Sequence, residues 1–409
     1  MMARPGPLRI LYHHRTAASD GMRVHIEEVV GALRARGHIV KVVGPGAAHP
    51  DAPRRLEASV ERLRRHLPAA AFELLELLYN IPAWFRLSRE AARFRPDILY
   101  ERHNLFLLAG LLVKWRRRIP MMLEVNAPLA SERARFGGLR LRALSHWCEG
   151  LLWRHSDVVL PVTEVLARHV ARLRGTDSGV HVVPNGARLD LAPPAAAAAA
   201  IRARLGLPDN ALILGFVGFV RAWHGLEWAL EALHSLPAHV HLLIVGDGPA
   251  RPELESRAAQ MGIGGRVRFC GNVAHRDIAA HMQLFDIALQ TASVPYASPL
   301  KLFEYMALSR AILAPDQPNI REILQDGLDA LLFAPANRPS FLAALTRLCG
   351  DSALRQRLGD GARRTVEEVP LTWAHNALRI EMLARRLSEA RACDLPIGAA
   401  ASSSGTSGR

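Results

Sequence analysis

Between Ser298 and Met306 the chain reads Ser-Pro-Leu-Lys-Leu-Phe-Glu-Tyr-Met, and these residue types at this spacing suit an anion held at the start of a helix. Ser298 is placed to cap such a helix and Pro299 to occupy its first turn. The free backbone N–H groups and positive dipole end that follow, from Leu300 onward, favour a diphosphate. Lys301 adds a full charge. Glu304 lies three residues later on the same face, one turn deeper, where a carboxylate accepts hydrogen bonds from two ribose hydroxyls. One short segment therefore offers a grip on both ends of a nucleoside diphosphate.

The chain carries three lysines, Lys41, Lys114 and Lys301, against 49 arginines. Arginine serves wherever a generic positive charge is enough, so a lysine at 301 points to a need for a compact ammonium rather than a planar fork.

Such a site must be positioned by something larger. Strand-like apolar runs alternate with helical patterns almost throughout, the mark of doubly wound α/β domains. In the first half the predicted strands are Arg9 to Tyr12, Ile39 to Val43, Ile98 to Tyr100, Met121 to Val125, Val158 to Pro161 and Val180 to Val183. Ile26, Val29, Val30 and Leu33 repeat at helical spacing between the first two. In the second half they are Leu212 to Val217, His241 to Val245, Val267 to Cys270, Ile287 to Gln290, Ala311 to Ala314 and Ala330 to Phe333. Four segments are expected: a Rossmann-like domain over 1–187, a second over 188–368, a C-terminal helix over 369–392 and a disordered tail over 393–409, rich in Ala, Ser and Gly.

Polar motifs fall at the predicted strand ends, where ligands bind in this architecture. The run His13 to His25 follows the first strand, and its Gly21 would let backbone approach a phosphate or sugar. Arg102 and Asn126 follow two further strands and, with His25, are candidate acceptor or sugar contacts. Gly218 lies in a glycine-bearing loop after Leu212 to Val217, and Gly246 begins a Gly-Asp-Gly-Pro turn after the next strand.

The segment from Ser298, with these loops, resembles the C-terminal signature of retaining glycosyltransferases of family 4, and in particular a subgroup with the same nine-residue wording. The resemblance implies the GT-B fold, two doubly wound Rossmann-like domains facing across a cleft, with a nucleotide-sugar donor on the second domain and an acceptor on the first. It also implies a frame for the base from Gly271, Asn272 and Val273, and an arginine and a lysine that neutralise the diphosphate; Arg221 is the nearest substitute for these, and Arg221 with Lys301 is the expected pair that stabilises the departing diphosphate. Retention at the anomeric carbon comes from the resemblance, as does a cell-surface polysaccharide or glycolipid setting. The sequence departs from the family at four places: Tyr296 stands where a first glutamate is usual, Gly21 where two glycines are, Asn126 where a histidine often follows the strand, and Phe219 and His224 where an arginine and a lysine are common. In this subgroup the first glutamate is absent as well.

Other features narrow the field. No Asp-x-Asp triplet, Walker-type loop or complete dinucleotide fingerprint occurs, so no metal site and no cofactor are expected. The four cysteines are far apart, as in a reduced, cytoplasmic protein. The formal charge of +14 is spread along the chain rather than massed in one tract, and attraction to anionic lipid or phosphorylated substrates explains it as well as nucleic acid does; no nucleic-acid partner is expected. Leu63 to Phe85 mixes arginines with leucines and aromatics, a composition that suits either an interfacial segment meeting a lipid-linked acceptor or a packed helix. Glu73 and Glu76 count against membrane contact. Two other functions fit the same fold: a nucleotide-sugar 2-epimerase, and a decayed transferase acting as a binding partner.

Overall fold

The computed structural model describes residues 6–16, 21–45, 67–191 and 193–394. The expected tail beyond 394, residues 17–20 of the first polar loop and residues 63–66 of the interfacial segment lie outside them.

The first half comprises β1 (Arg9–His13), α1 (Gly21–Ala35), β2 (Ile39–Val43), α2 (Ala69–Leu78), α3 (Asn80–Phe94), β3 (Ile98–Arg102), α4 (Ala109–Arg117), β4 (Met121–Val125), α5 (Leu129–Phe136), α6 (Arg142–His155), β5 (Val158–Pro161) and α7 (Glu164–Arg174). The second comprises α8 (Ala195–Arg204), β6 (Leu212–Val217), α9 (Leu226–Ser235), β7 (Val240–Val245), α10 (Arg251–Gln260), β8 (Val267–Phe269), α11 (His275–Met282), β9 (Ile287–Leu289), α12 (Leu300–Ala307), β10 (Ala311–Pro315), α13 (Pro318–Arg321), β11 (Leu331–Phe333), α14 (Arg338–Gly350) and α15 (Ser352–Glu368), and α16 (Trp373–Asp394) follows.

All pairings within the two sheets are parallel, in the orders β2-β1-β3-β4-β5 and β11-β10-β9-β6-β7-β8. Helices cover both faces of each sheet, so central strands such as Met-Met-Leu-Glu-Val in β4 and Val-His-Leu-Leu-Ile-Val in β7 are buried on both sides and read as nearly unbroken apolar runs. The chain reverses its direction of travel across the first sheet between β1 and β3, and across the second between β6 and β9. Crevices open at such reversals, beyond the carboxyl ends of the strands.

One expected strand is absent. Val180 forms an isolated bridge with Val159, and no strand runs on to Val183. The segment nevertheless runs beside β5, with His181 N–H donating to the Val159 carbonyl and Val183 N–H to the Pro161 carbonyl, both at 3.0 Å, before the chain crosses to the second domain. After α15 it returns, and Trp373, Ala377, Ile380 and Ala384 of α16 pack into the core formed by α1 and the first sheet.

Candidate functional site

The loops after β6 and β9, at the reversal of the second sheet, carry the residues singled out from the sequence. Helix α12 starts at Leu300, with Pro299 just before it. Ser298 does not cap it, contrary to the expectation from its sequence. Its hydroxyl instead accepts the backbone N–H of Asn185 at 3.2 Å, and its carbonyl accepts the Asn185 side chain. Ser298 thus ties the helix start to the segment that joins the domains, and the first N–H groups of α12 gain no side-chain cap.

Lys301 differs from the other two lysines. Lys41 pairs with Glu90 at 2.5 Å and Lys114 with Asp157 at 2.7 Å. The Lys301 ammonium is buried without a hydrogen-bond partner, 3.6 Å from the centre of the Phe216 ring. A Cβ on Gly218 would lie 3.3 Å from the ammonium nitrogen. The ammonium therefore lies against the ring face beside Gly218, where any side chain at 218 would crowd it. Burial pulls the Lys301 pKa down to about 7, and Glu304 only partly offsets this. Burial likewise pushes Glu304 up to about 7, with Lys301 opposing. Each group lacks the solvation or counter-charge that would keep it ionised.

Arg221 follows β6. Its guanidinium lies 4.7 Å from the Phe219 ring and 4.6 Å from that of Trp223, between two aromatic faces. It has no carboxylate partner among the described residues. His224 stands beside both cations; burial first, then Lys301 and Arg221, keep its ring neutral. Gly246 has φ +129° and Gly218 φ +135°, and a Cβ on Gly246 would meet the Gly218 carbonyl oxygen at 2.1 Å. Close contact between these loops requires glycine. Gly246 also donates to the Gly271 carbonyl at 3.0 Å, which brings the next loop alongside. There Asn272 is exposed and Val273 half-buried against the core.

From the first domain, Gly21 opens α1 and faces Leu300: a Cβ added to it would lie 3.4 Å from the leucine methyl. The helix starts of both domains therefore meet. Arg102, His25 and Asn126 come together, but not as free contacts. All three converge on Glu124, which heads the same polar run as Asn126 but is not singled out by the sequence as a site residue. Arg102 forms a buried ion pair with Glu124, and Asn126 donates to it at 2.6 Å. Tyr100 and Tyr12 donate to its other oxygen at 3.1 and 3.3 Å.

Burial alone would raise the Glu124 carboxyl; the facing His25 and Arg102 and these hydrogen bonds hold it below its usual range. Burial lowers the His25 pKa to about 4, so the ring is neutral at neutral pH. Guanidinium only donates, so the 3.0 Å contact from Arg102 makes His25 Nδ1 the acceptor and leaves the proton on Nε2. Arg102 and His25 are thus corrected from open sugar contacts to buried supports, while Asn126 stays half-exposed at the carboxyl end of β4. A signal for Glu124 was present: opposite charges at the ends of two apolar strands, Arg102 and Glu124, which prove to be register partners.

Glu28 of α1 and Arg188 of the joining segment approach Glu304 from outside and lie 3.6 Å apart. Among the described residues, no group of three or more His, Cys, Asp or Glu side chains converges as metal ligands would.

Comparison with known proteins agrees with this architecture. The family model for Glycosyltransferase Family 4 matches residues 19–191 and that for Glycosyl transferases group 1 matches residues 211–351. A D-inositol 3-phosphate glycosyltransferase of Xylanimonas cellulosilytica is 28% identical over 368 residues, spanning 85% of this chain and 88% of that enzyme. The lipopolysaccharide core biosynthesis glycosyltransferase LpsE of Rhizobium meliloti is 26% identical over 290 residues, 69% of this chain and 82% of its own. Among solved structures, Anabaena HepE in complex with UDP has a TM-score of 0.71 at 16% identity, covering 93% of this chain and 100% of that one, a likeness of fold. With one family model on each domain and glycosyltransferases as relatives along most of its length, the chain belongs to the family 4, group 1 glycosyltransferases of GT-B fold.

Proposed function

We propose that the enzyme moves a glycosyl group from a nucleotide-diphosphate sugar to an acceptor hydroxyl, with retention at the anomeric carbon and without a metal ion. The observation that carries this reading is the Lys301 ammonium, buried and unpartnered in the uncapped first turn of α12. A buried charge without a partner is costly, and a diphosphate at the helix start relieves that cost. The solved structures of HepE with UDP, and with UDP and glucose, supply a fold-level parallel.

In this scheme the second domain holds the donor. Lys301, Arg221 and the first N–H groups of α12 take up the negative charge that develops as the bond from the anomeric carbon to the diphosphate breaks. Glu304 orients the ribose, and the loops at Gly218, Gly246 and Asn272–Val273 frame the rest of the nucleotide. The acceptor oxygen attacks on the face the diphosphate leaves, and the departing phosphate takes its proton. Asn126, oriented by Glu124, lines the acceptor side, and backbone at Gly21 approaches the donor from the first domain. Relatives named for inositol phosphate and lipopolysaccharide core support a polyol, carbohydrate or lipid-linked acceptor.

Thermal-shift screening of nucleotide sugars, followed by donor turnover, tests the reading. A matched donor should raise the melting temperature by mass action, and Lys301→Ala should strongly depress release of nucleoside diphosphate. No shift with any donor, or equal turnover by the variant, would refute it.

A further inference from the structure

Helices α2, α3 and α4 expose an apolar surface where the core has already been filled. Leu74, Leu75 and Leu78 project from one side of α2, followed by Ile81 and Phe85 of α3, the last 62% exposed. Helix α4 packs beside α3 on the same face of the sheet and adds Leu112 and Trp115. A patch of this kind on a globular protein marks a surface that is covered in use.

The charges around it are sorted by sign. All three carboxylates of α2 and α3 are engaged away from the patch. Glu73 is buried and accepts the backbone N–H groups of Arg140 and Leu141 at 2.9 and 2.7 Å. Glu76 lies between Arg15 and Arg133, and Glu90 is paired with Lys41. This removes the objection that Glu73 and Glu76 raised in the sequence. Arg86, Arg89 and Arg93 of α3, with Arg116, Arg117 and Arg118 at the end of α4, are exposed and have no ion-pair partner among the described residues. The surface therefore offers apolar side chains and free guanidiniums and no free carboxylate from α2 or α3.

Its orientation is equally ordered. Asn80, at the start of α3, donates to the Phe106 carbonyl and accepts from Leu108 N, both at 2.6 Å, which fixes this end beside the loop that follows β3. Arg15, in the loop after β1, reaches Glu76 of α2 at 2.9 Å. The apolar end thus borders the cleft, and the arginines extend toward the opposite end of the sheet, where Arg9 holds the Phe94 carbonyl.

We infer that this face docks on an anionic membrane surface, with the leucines and Phe85 entering the interface at the cleft rim and the arginines lying over lipid headgroups. No helix among the described residues is long and apolar enough to cross a membrane, so the attachment is peripheral. An acceptor with a lipid tail would then enter the cleft while its tail stays in the bilayer. The docking inference does not depend on the donor assignment, because vesicle binding needs no nucleotide and either reading can fail alone.

Flotation of the full chain with phosphatidylcholine vesicles, and with vesicles enriched in phosphatidylglycerol, tests it. The protein should float only with the anionic vesicles and be released by high salt. Removing three charges as Arg86→Gln/Arg89→Gln/Arg93→Gln should weaken binding roughly a hundredfold, at about fivefold per arginine. Leu78→Ser/Phe85→Ser should weaken it at least about tenfold. These side chains are exposed, and unchanged melting temperatures would show that both variants fold. Failure of the wild type to float, equal flotation with both lipid compositions, or variants that bind like the wild type would overturn the inference. A soluble wild-type dimer that Leu78→Ser/Phe85→Ser turns into a monomer would overturn it in favour of a second copy of the chain.

Discussion

The Tyr296 hydroxyl donates a hydrogen bond to Glu132 Oε2 at 2.5 Å, joining the loop before α12 to α5 of the other domain. Burial and the carboxylate both keep the phenol protonated. The Thr163 hydroxyl, also from the first domain, donates to the Tyr296 carbonyl at 3.0 Å. On the same helix Phe136 meets Trp223, the ring that flanks Arg221, at 5.1 Å. Helix α5 is therefore held at two points by the two loops that carry the candidate donor site. Where the family resemblance leads one to expect a glutamate on the second domain, this chain has a phenol that reaches a carboxylate on the first.

The latch should be measurable as a coupling. Hydrogen bonds to charged groups contribute about 1.5–3 kcal/mol, and partial exposure of this pair reduces that to roughly 1 kcal/mol. Tyr296→Phe and Glu132→Gln should each destabilise the protein, and the double variant should fall short of their sum by about that amount in urea unfolding. Strict additivity would mean that the contact does no energetic work.

Lys301 and Glu304 should separate by kinetic signature. Lys301→Ala removes charge stabilisation at the leaving group and should lower turnover by about a hundredfold to a thousandfold, comparable to loss of one preorganised donor. Lys301→Arg should rescue it poorly, because a planar guanidinium is broader than the compact ammonium that lies against the Phe216 ring. Glu304→Gln should act mainly on donor KM and on the affinity for nucleoside diphosphate. Steady-state kinetics with the matched donor distinguish the two patterns.

The sequence disclosed the sheets better than the links between side chains. Buried parallel strands such as β4, β6 and β7 announce themselves as apolar runs, and Val180-His181-Val182-Val183, which has strand composition, follows β5 through backbone hydrogen bonds without building a regular strand. Lys301 was legible because lysine is rare in this chain. The role of Ser298 was not: a serine before a helix reads as a cap, and only the fold brings Asn185 to it. Arg102 at a strand end and His25 in the polar run after the first strand likewise looked like ligands, whereas tertiary contact directs both onto Glu124.

Glu124 should prove necessary for folding. Glu124→Gln leaves the Arg102 guanidinium buried without its counter-charge, at a cost of about 3–5 kcal/mol. Chemical denaturation should show this loss directly. Asn126→Ala, which removes only one donor to the same carboxylate, should cost about 1 kcal/mol while weakening acceptor KM, a split between stability and function that Glu124 cannot show.

Proton linkage on binding should change sign across neutrality. With Lys301 and Glu304 both at about 7 in the unliganded enzyme, Lys301 is mostly neutral and Glu304 mostly ionised at pH 8. A bound diphosphate raises the Lys301 pKa, so binding there should take up close to one proton. At pH 6 Lys301 is already charged and Glu304 largely protonated; ribose hydroxyls that donate to the carboxylate lower its pKa, and binding should release a proton. Calorimetry of nucleoside diphosphate binding in buffers of differing ionisation enthalpy reads both signs. Lys301→Met should erase the uptake and leave the release.

Two glycines of the candidate site make opposite predictions. Alanine at Gly246 would place its Cβ 2.1 Å from the Gly218 carbonyl oxygen at a positive φ. Neither backbone can yield without opening both loops, so Gly246→Ala should destabilise the second domain by about 2–4 kcal/mol and abolish nucleotide binding with it. Gly21 has no positive φ, and its added Cβ would make only an ordinary 3.4 Å contact with Leu300. Gly21→Ala should therefore melt within a few degrees of the wild type. If backbone at Gly21 approaches the donor, however, the methyl group occupies the space the ligand needs. Donor KM should then rise about tenfold or more while stability is kept. Unchanged kinetics in a stable Gly21→Ala protein would place the donor away from the start of α1 and confine its binding to the second domain.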